Sequence, residues 1–322
     1  MKLILSIEVG NKLSKVALIN QYGELQLNFI VEHDLKIGLI ENLHNKIIKD
    51  IKKVGYDIND IYEKIGIAIP GFVDHSKGVV KYAGILNLNN FPLKEKAEEL
   101  FKKEVLVLND ANAAALGEFW IGSAKRFDSI IFYTINDGVG GALILDGKLI
   151  AGSRGFAGEF GHGSGLFAKN SQHKCVCGAN GCIEKLCSST SIINFFKEFL
   201  SKDEPSLKKH FHDEDDIKLI DIYNVYKKNI GSEKIIEFLT IILDPLIRHI
   251  SLMINALDPE AIIFSGEITE LKDLLIKIIQ NNLKKYVVLK FYDGTPIKIA
   301  ELENDAILIG SAYYVLNDWK IT

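Results

Sequence analysis

Residues 3–31 read LILSIEVGNKLSKVALINQYGELQLNFIV, and residues 129–150 read SIIFYTINDGVGGALILDGKLI. In the first stretch, apolar runs at 3–8, 15–20 and 25–31 are punctuated by Gly10 and Gly23. That is the signature of a strand-turn-strand meander. The second stretch repeats it. A strand at 129–135 meets a glycine turn at 138–141, and the next strand covers 142–145. Asp146-Gly147 is a hairpin signal, after which 148–150 returns. Helical patterns follow each meander. The chain therefore reads as an internal duplication of one α/β unit, and such halves commonly enclose a cleft.

Outward from the meanders the pattern continues. Residues 37–54 have helical spacing, with Ile40, Leu43, Ile47, Ile48 and Ile51 on one face. A buried strand at 65–69 ends at Pro70-Gly71, and another at 105–108 runs into Asn109-Asp110. The following ANAAALGEF is a strong helix former that Asn109 or Asp110 can cap. A glycine-rich loop with cysteines spans 152–181. One long helix is expected at 232–257, with a disturbance at Pro245. A strand at 261–264 ends at Gly266, and the last helix covers 306–316.

The 322 residues are too many for one comfortable core and suit two domains. A hydrophobic content of 48% fits a soluble globular protein. The formal net charge of -4, without blocks of like charge, argues against a nucleic-acid partner. No apolar run approaches the roughly 20 residues needed to span a bilayer. The opening MKLILSIEVG resembles a signal peptide only briefly, because Glu8 breaks the run; it reads better as a first strand. A cytoplasmic location is expected.

Three cysteines, Cys175, Cys177 and Cys182, are tightly clustered, and Cys187 follows. In a reducing compartment such spacing points to metal rather than to disulfides. With His162 they form a closed tetrahedral set for a structural zinc ion. Gly178 and Gly181 allow the tight fold that brings Cys182 to the same ion. The plainer alternative is a loop of reduced thiols. Asp110 sits where a strand gives way to a helix, a common ligand position in open α/β sheets; a simple helix cap is the competing reading. Glu159 and Glu184 flank the cysteine loop. Alone they are ordinary surface carboxylates, but with His162 on one rigid element they suit several sugar hydroxyls.

These residues resemble the ROK family of sugar-responsive repressors, open-reading-frame proteins and sugar kinases. The signature is GEFGH at 158–162 followed by CVCGANGCIE at 175–184. Further matches are GIAIPGFVD at 66–74, LNDANAAALGE at 108–118, DGKLIAGSRGFAGEFGH at 146–162 and IGSAYYVL at 309–316. The resemblance covers essentially the whole chain. It implies two actin-like, ribonuclease H-like α/β domains around a cleft, as in the hexokinase/actin superfamily. The expected division is a small domain at 1–109, rejoined by 306–322, and a larger one at 110–305. The resemblance also implies roles. Asp110 is the general base; Gly71, Asn87, Asn109, Glu159, His162 and Glu184 join it in holding the sugar. His162, Cys175, Cys177 and Cys182 hold zinc, across an interval from His162 to Cys175 slightly longer than the family's usual spacing. ATP and Mg are the implied co-substrate and cation, and a homodimer the implied assembly.

The nucleotide elements depart from the kinase pattern. Kinases that this chain resembles carry Asp-x-Gly-Gly-Thr-Lys near the N-terminus; here Glu8, Gly10, Asn11 and Lys12 occupy that loop. The second loop, usually Gly-Thr-Gly-x-Gly-Gly-Gly, becomes Asn136-Asp137-Gly138-Val139-Gly140-Gly141-Ala142. Asp137 puts a carboxylate where phosphate would sit, which repels ATP unless Mg or Lys12 compensates. The motif around Gly266 is also reduced, to Phe264-Ser265-Gly266-Glu267. Two readings follow: an ATP-dependent kinase acting on a hexose or hexose derivative, or a sugar-binding sensor that has lost the nucleotide site. The start of the first strand near Lys2 leaves no preceding DNA-binding domain, which favours the kinase; the altered loops favour the sensor.

Overall fold

The computed structural model describes residues 2–34, 36–163, 173–175, 177–211, 213, 216–288 and 292–317. The chain opens with β1 (Ile4–Val9), β2 (Leu13–Ile19) and β3 (Leu25–Glu32), followed by α1 (Leu39–Lys53) and β4 (Lys64–Ile69). Then come β5 (Phe72–Asp74), β6 (Val79–Ala83), β7 (Leu88–Phe91), α2 (Leu93–Phe101), β8 (Glu104–Asn109) and α3 (Asp110–Trp120). The second run begins with β9 (Ile130–Ile135), β10 (Val139–Leu145) and β11 (Lys148–Leu149). It continues with α4 (Glu184–Cys187), α5 (Ser189–Lys202), α6 (Leu219–Lys227) and α7 (Ser232–Leu257). Last are β12 (Ala261–Ser265), α8 (Lys272–Leu283), β13 (Ile297–Ile299) and α9 (Ala306–Leu316).

One five-stranded sheet has the order β3-β2-β1-β4-β8 and another the order β11-β10-β9-β12-β13. The plan is the same twice: a meander, then two more strands added on the side of its first strand. The second sheet's strands β9, β12 and β13 run parallel, as β1, β4 and β8 do in the first. Central strands read as continuous apolar runs because both of their faces are covered. Thus Ile4, Leu5, Ile7 and Val9 of β1 are all buried. At the edge, β3 alternates, with Gln26, Asn28, Ile30 and Glu32 exposed. In α1 the buried set Ile40, Leu43, Ile47 and Ile51 recurs at helical spacing. Helix α7 runs uninterrupted past Pro245. The carbonyl that the proline deprives of a partner belongs to Ile241, on the exposed face of the helix, where water can satisfy it.

One local expectation is corrected. The glycine turn is at 136–138, where the Asn136 N–H donates to Gly138 O at 2.9 Å. Val139, Gly140 and Gly141 already belong to β10. The segment 72–91 forms a further three-stranded sheet, β5-β6-β7.

By compactness the chain divides into Met1–Asp128 with Ala142–Gly158 and Glu301–Thr322, and Ser129–Gly141 with Glu159–Ala300. The first unit takes in α3, which packs along α9. Glycines permit the approach. A Cβ on Gly310 would strike Ala113 O, and one on Gly117 would strike Ala306 O. At the far end of α3 lies Glu118, with no accessible surface. Its carboxylate accepts from Ser123 N–H at 2.8 Å, Ser123 Oγ at 2.9 Å, Glu301 N–H at 3.1 Å and Leu302 N–H at 2.7 Å. Four donors of the chain thus satisfy this buried carboxylate. Replacing it strands those donors, so Glu118→Ala should cost about 3–5 kcal/mol of stability, read from denaturant unfolding. A loss below about 1 kcal/mol would mean that water satisfies the same groups.

Candidate functional site

In the first unit, β8 hands over to α3 at Asn109-Asp110. Asn109 is the helix cap: its Oδ1 accepts from Ala111 N–H at 2.8 Å and Asn112 N–H at 3.2 Å. Its amide also donates to Gly71 O at 3.0 Å, tying the end of β8 to the residue between β4 and β5. Gly71 has φ +102, and a Cβ there would strike Tyr82 O, so glycine is required. With Asn109 doing the capping, Asp110 is released from that duty. It is half-buried, and one oxygen accepts from Ala111 N–H at 2.8 Å. Burial pushes its carboxyl above the ordinary aspartate range; the N–H groups of Ala111 and Asp110 and the Asn109 amide pull the other way. Asn87 closes the 3-10 turn Gly84–Leu86 in a left-handed conformation and is exposed.

Glu8, near the end of β1, pairs in register with Lys15 on β2 and Ala68 on β4. Lys15 Nζ lies 3.3 Å from Glu8 Oε2 and 3.4 Å from Oε1. Burial pushes the Glu8 carboxyl up and Lys15 pulls it back; Asp110 and Asp305 push it further up. The hairpin turn closes by a bond from Gly10 N–H to Leu13 O at 3.0 Å. His33 braces the turn, its N–H on Lys12 O at 2.9 Å, its Nδ1 3.2 Å from Asn11 O and its Nε2 2.8 Å from Ser14 Oγ. Lys12, expected to offset the Asp137 charge toward a phosphate, is exposed at the turn. The cation on Glu8 is Lys15.

In the second unit, His162, Cys175, Cys177 and Cys182 bring one ligand atom each within 4.8 Å of all the others. Cys175 Sγ is 3.6 Å from His162 Nδ1, and Cys177 Sγ is 3.6 Å from Cys182 Sγ. Tetrahedral zinc with Zn–S of about 2.3 Å needs sulfurs roughly 3.8 Å apart, so the set fits. Backbone bonds make the loop compact: Cys175 N–H to Ala179 O at 2.8 Å, Gly178 N–H to Cys175 O at 3.0 Å and Gly181 N–H to His173 O at 2.9 Å. As free thiols, Cys175 is pushed up to about 12 by burial and Cys182 is also raised. A bound cation would reverse that and hold them as thiolates. Most of the interval between His162 and Cys175 lies outside the described residues. Cys187 is apart from the cluster, its buried thiol donating to Ile242 O at 3.3 Å.

Glu159 Oε2 is 3.9 Å from His162 Nε2, the ring nitrogen away from the thiols. Glu184 reaches two ways. Its Oε1 is 3.8 Å from Cys175 Sγ, and its Oε2 accepts from Val139 N–H at 3.4 Å. Gly138 makes room, since a Cβ there would lie 2.9 Å from Glu184 Oε2. The glycine turn is thus packed against the cysteine element by a carboxylate of that element. Asp137 in the same turn accepts a very short bond from Thr190 Oγ1, in the first turn of α5. Its neighbour Asn136 accepts from Ser189 N–H at 2.8 Å through its carbonyl and from Glu267 N–H at 2.8 Å through Oδ1. Gly266, with φ +86, lets the Glu267 turn approach; a Cβ would be 2.6 Å from Ile135 O. Gly140 lies farther along β10.

The structure thus brings Gly71, Asn109, Asp110 and Glu8 together in one unit. In the other, one group is His162, the three cysteines, Glu159, Glu184 and Gly138, and a second is Asp137 with Gly266. Lys15 and Thr190 were missed by sequence reasoning. Lys15 was readable, because Glu8 and Lys15 face each other once the hairpin is registered about its turn. Thr190, far from Asp137 in sequence, carries no such signal.

The family model of ROK matches residues 4–318. The glucokinase of Halalkalibacterium halodurans is 29% identical over 316 residues, covering 96% of this chain and 93% of that one. A ROK family transcriptional regulator, a homolog of the E. coli MLC protein, superposes with TM-score 0.84 at 23% identity, over 97% of this chain and 77% of that one. The Streptomyces griseus ROK glucokinase, solved with glucose and AMPPNP, gives TM-score 0.76 at 24% identity over 96% and 98%. The fold is the mixed α/β architecture of the ROK, actin and hexokinase proteins. Catalytic and regulatory relatives are alike on these measures, and what they share, together with the match over nearly the full chain, makes this chain a member of the ROK family.

Proposed function

We propose that this chain binds a hexose or hexose derivative and transfers the ATP γ-phosphoryl group to one of its hydroxyls, with Asp110 as general base. The observation that carries this reading is Asp110 itself. It is a carboxylate relieved of capping by Asn109 and raised toward a useful basicity by burial. In this reading the sugar hydroxyl loses its proton to an Asp110 oxygen as its oxygen attacks phosphorus, and ADP leaves. Gly71, Asn87, Asn109, Glu159, His162 and Glu184 hold the sugar. A carboxylate accepts from hydroxyls, which suits a polyol. His162, Cys175, Cys177 and Cys182 would hold zinc, whose role is to fix the loop that carries Glu159 and Glu184. Magnesium, when bound with ATP, would neutralise phosphate charge. Glucose bound by the Streptomyces griseus relative supports a hexose, and AMPPNP there supports a nucleotide donor.

A second reading has a specific observation behind it. The nucleotide elements Glu8, Gly10, Lys12, Asp137, Gly138, Gly140 and Gly266 include two carboxylates already engaged within the chain, Glu8 by Lys15 and Asp137 by Thr190. That favours a sugar-binding regulatory protein without turnover. A coupled assay for sugar-dependent ADP release separates the two. In the kinase reading, Asp110→Asn should lower the rate about 10²–10⁴-fold with sugar affinity largely intact. Because the base works deprotonated and its pKa is raised, the wild-type rate should climb with pH through a limb above the usual aspartate range, near 3.9. Absence of turnover, with no rise in melting temperature from ATP-Mg, would leave the regulatory reading.

The metal and the sugar have their own tests. Protein purified without chelator should contain one zinc per chain by elemental analysis, and Cys177→Ser should lose it and weaken sugar binding. A metal-free chain that still binds sugar would remove zinc from the proposal. Calorimetry over a panel of hexoses and hexosamines should find a ligand that Glu159→Gln weakens by roughly 1–3 kcal/mol. Unchanged affinity in that variant would put the sugar elsewhere.

A further inference from the structure

The four ligand atoms of the cysteine element all lie within 4.8 Å of one another, so what separates its three thiols is access. Cys175 and Cys182 are buried, whereas Cys177 is exposed. The backbone puts it there. Gly178 N–H donates to Cys175 O at 3.0 Å and Cys175 N–H donates to Ala179 O at 2.8 Å, so Cys177 stands in a tight turn. The approach beside it is open. A Cβ at Gly178, with φ +89, would meet no atom of the described residues within 4 Å. Cys177 Sγ is 3.6 Å from Cys182 Sγ. Cys175 Sγ is flanked instead by His162 Nδ1 at 3.6 Å and Glu184 Oε1 at 3.8 Å. An exposed sulfur poised next to a buried one is the arrangement of an oxidisable and a resolving cysteine. A disulfide needs its sulfurs about 2.05 Å apart, so this pair has to close by roughly 1.5 Å, a swing open to an exposed side chain.

We propose that Cys177 and Cys182 are a peroxide-sensitive pair that opens the metal site, with Cys177 oxidised first and Cys182 closing on it. The inference rests on the zinc reading of these residues. The oxidant is a hydroperoxide. The Cys177 thiolate attacks one peroxide oxygen: an S–O bond forms, the O–O bond breaks, and the other oxygen takes a proton and leaves as water, or as an alcohol from an organic peroxide. The Cys182 thiolate then attacks the Cys177 sulfur: the S–S bond forms, the S–O bond breaks, and the departing hydroxide takes a second proton. Two electrons have passed from the two sulfurs to the peroxide. His162 and Cys175 remain, too few to hold a structural ion that needs four ligands. The loop carrying Glu184 then loses its tie to His162. A thiol reductant with fresh Zn(II) reverses the change. Cys187 takes no part, because its buried thiol donates to Ile242 O at 3.3 Å.

The test uses the full zinc-loaded wild-type chain with millimolar hydrogen peroxide as the probe. Remaining thiols are blocked with N-ethylmaleimide, the disulfide is reduced and labelled with iodoacetamide, and released zinc is followed with a colorimetric chelator. Cleavage after Lys174 and Lys185 leaves the three thiols on one peptide, 175–185, so fragment masses assign each label. Cys175 should carry the maleimide and Cys177 and Cys182 the iodoacetamide label, with one zinc released for each disulfide formed. Dithiothreitol with Zn(II) should restore both. Before oxidation, a limiting amount of N-ethylmaleimide should label Cys177 ahead of Cys175 and Cys182. A disulfide through Cys175 or Cys187 overturns the proposal. So does peroxide treatment that leaves Cys177 and Cys182 reduced, or that carries Cys177 to the sulfinic acid while Cys182 stays free. A chain that purifies without zinc overturns the zinc reading and this inference with it. A zinc-loaded chain that forms the wrong disulfide, or none, overturns this inference alone.

Discussion

The backbone approach of α3 and α9 is the constraint from which the first unit's site follows. Gly310 lies against Ala113 O and Gly117 against Ala306 O, so the helices meet at the distance of bare backbones. No side chain can stand between them. Once α9 is seated, the preceding segment has one place to go. Glu118 fixes it by accepting from the N–H groups of Glu301 and Leu302. Asn304 and Asp305 follow directly, and they reach Lys15 and the neighbourhood of Glu8. At its other end the same α3 begins at the Asn109 cap, which sets Asp110 beside Gly71. One pair of glycines thus governs residues from both ends of the chain.

What was legible in the sequence were features whose spacing is itself the physics. The meanders could be read because apolar runs separated by glycine have only a few ways to fold. The cysteine set could be read because its three thiols lie within one short loop, with left-handed glycines at Gly178 and Gly181 to turn it. The helix start at Asn109-Asp110 was visible, but not which residue caps. That choice depends on Asn109 also having Gly71 O to satisfy with its amide, a contact made by a distant segment. The small sheet β5-β6-β7 was missed for a similar reason. Its strands are short and carry Lys81, Asn89 and Asn90, so they hold no period long enough to count. The partner of α3 was not legible because its middle, residues 113–117, is an unbroken apolar run that favours no one face until α9 arrives.

Glycines gave the most misleading signal. A glycine-rich turn suggests a cradle for phosphate, and 136–142 has that composition. Yet Gly138 and Gly141 have jobs inside the protein. Gly138 leaves space for the Glu184 carboxylate, and a Cβ on Gly141 would strike the ring of Phe160. Phe160 and Glu184 belong to the segments that carry His162 and Cys182. The small residues of the turn therefore serve the close packing of the cysteine element on β10, whatever ligand approaches it.

The same logic applies to charge. A buried carboxylate must find a partner or take up a proton, and a protein can supply that partner from within or leave it to a ligand. Glu8 has Lys15 and Glu118 has four donors from its own chain, and the exposed Asp137 has Thr190. Asp110 is different. Its nearest donors are backbone groups at the helix start, and burial still leaves its carboxyl raised. Among these four acids, it is the one raised by burial with no ammonium or hydroxyl hydrogen-bonded to it among the described residues. Under the proposed function, chemistry is expected where internal partners are fewest, which points to Asp110, while Glu8 and Asp137 already have side-chain partners within the chain.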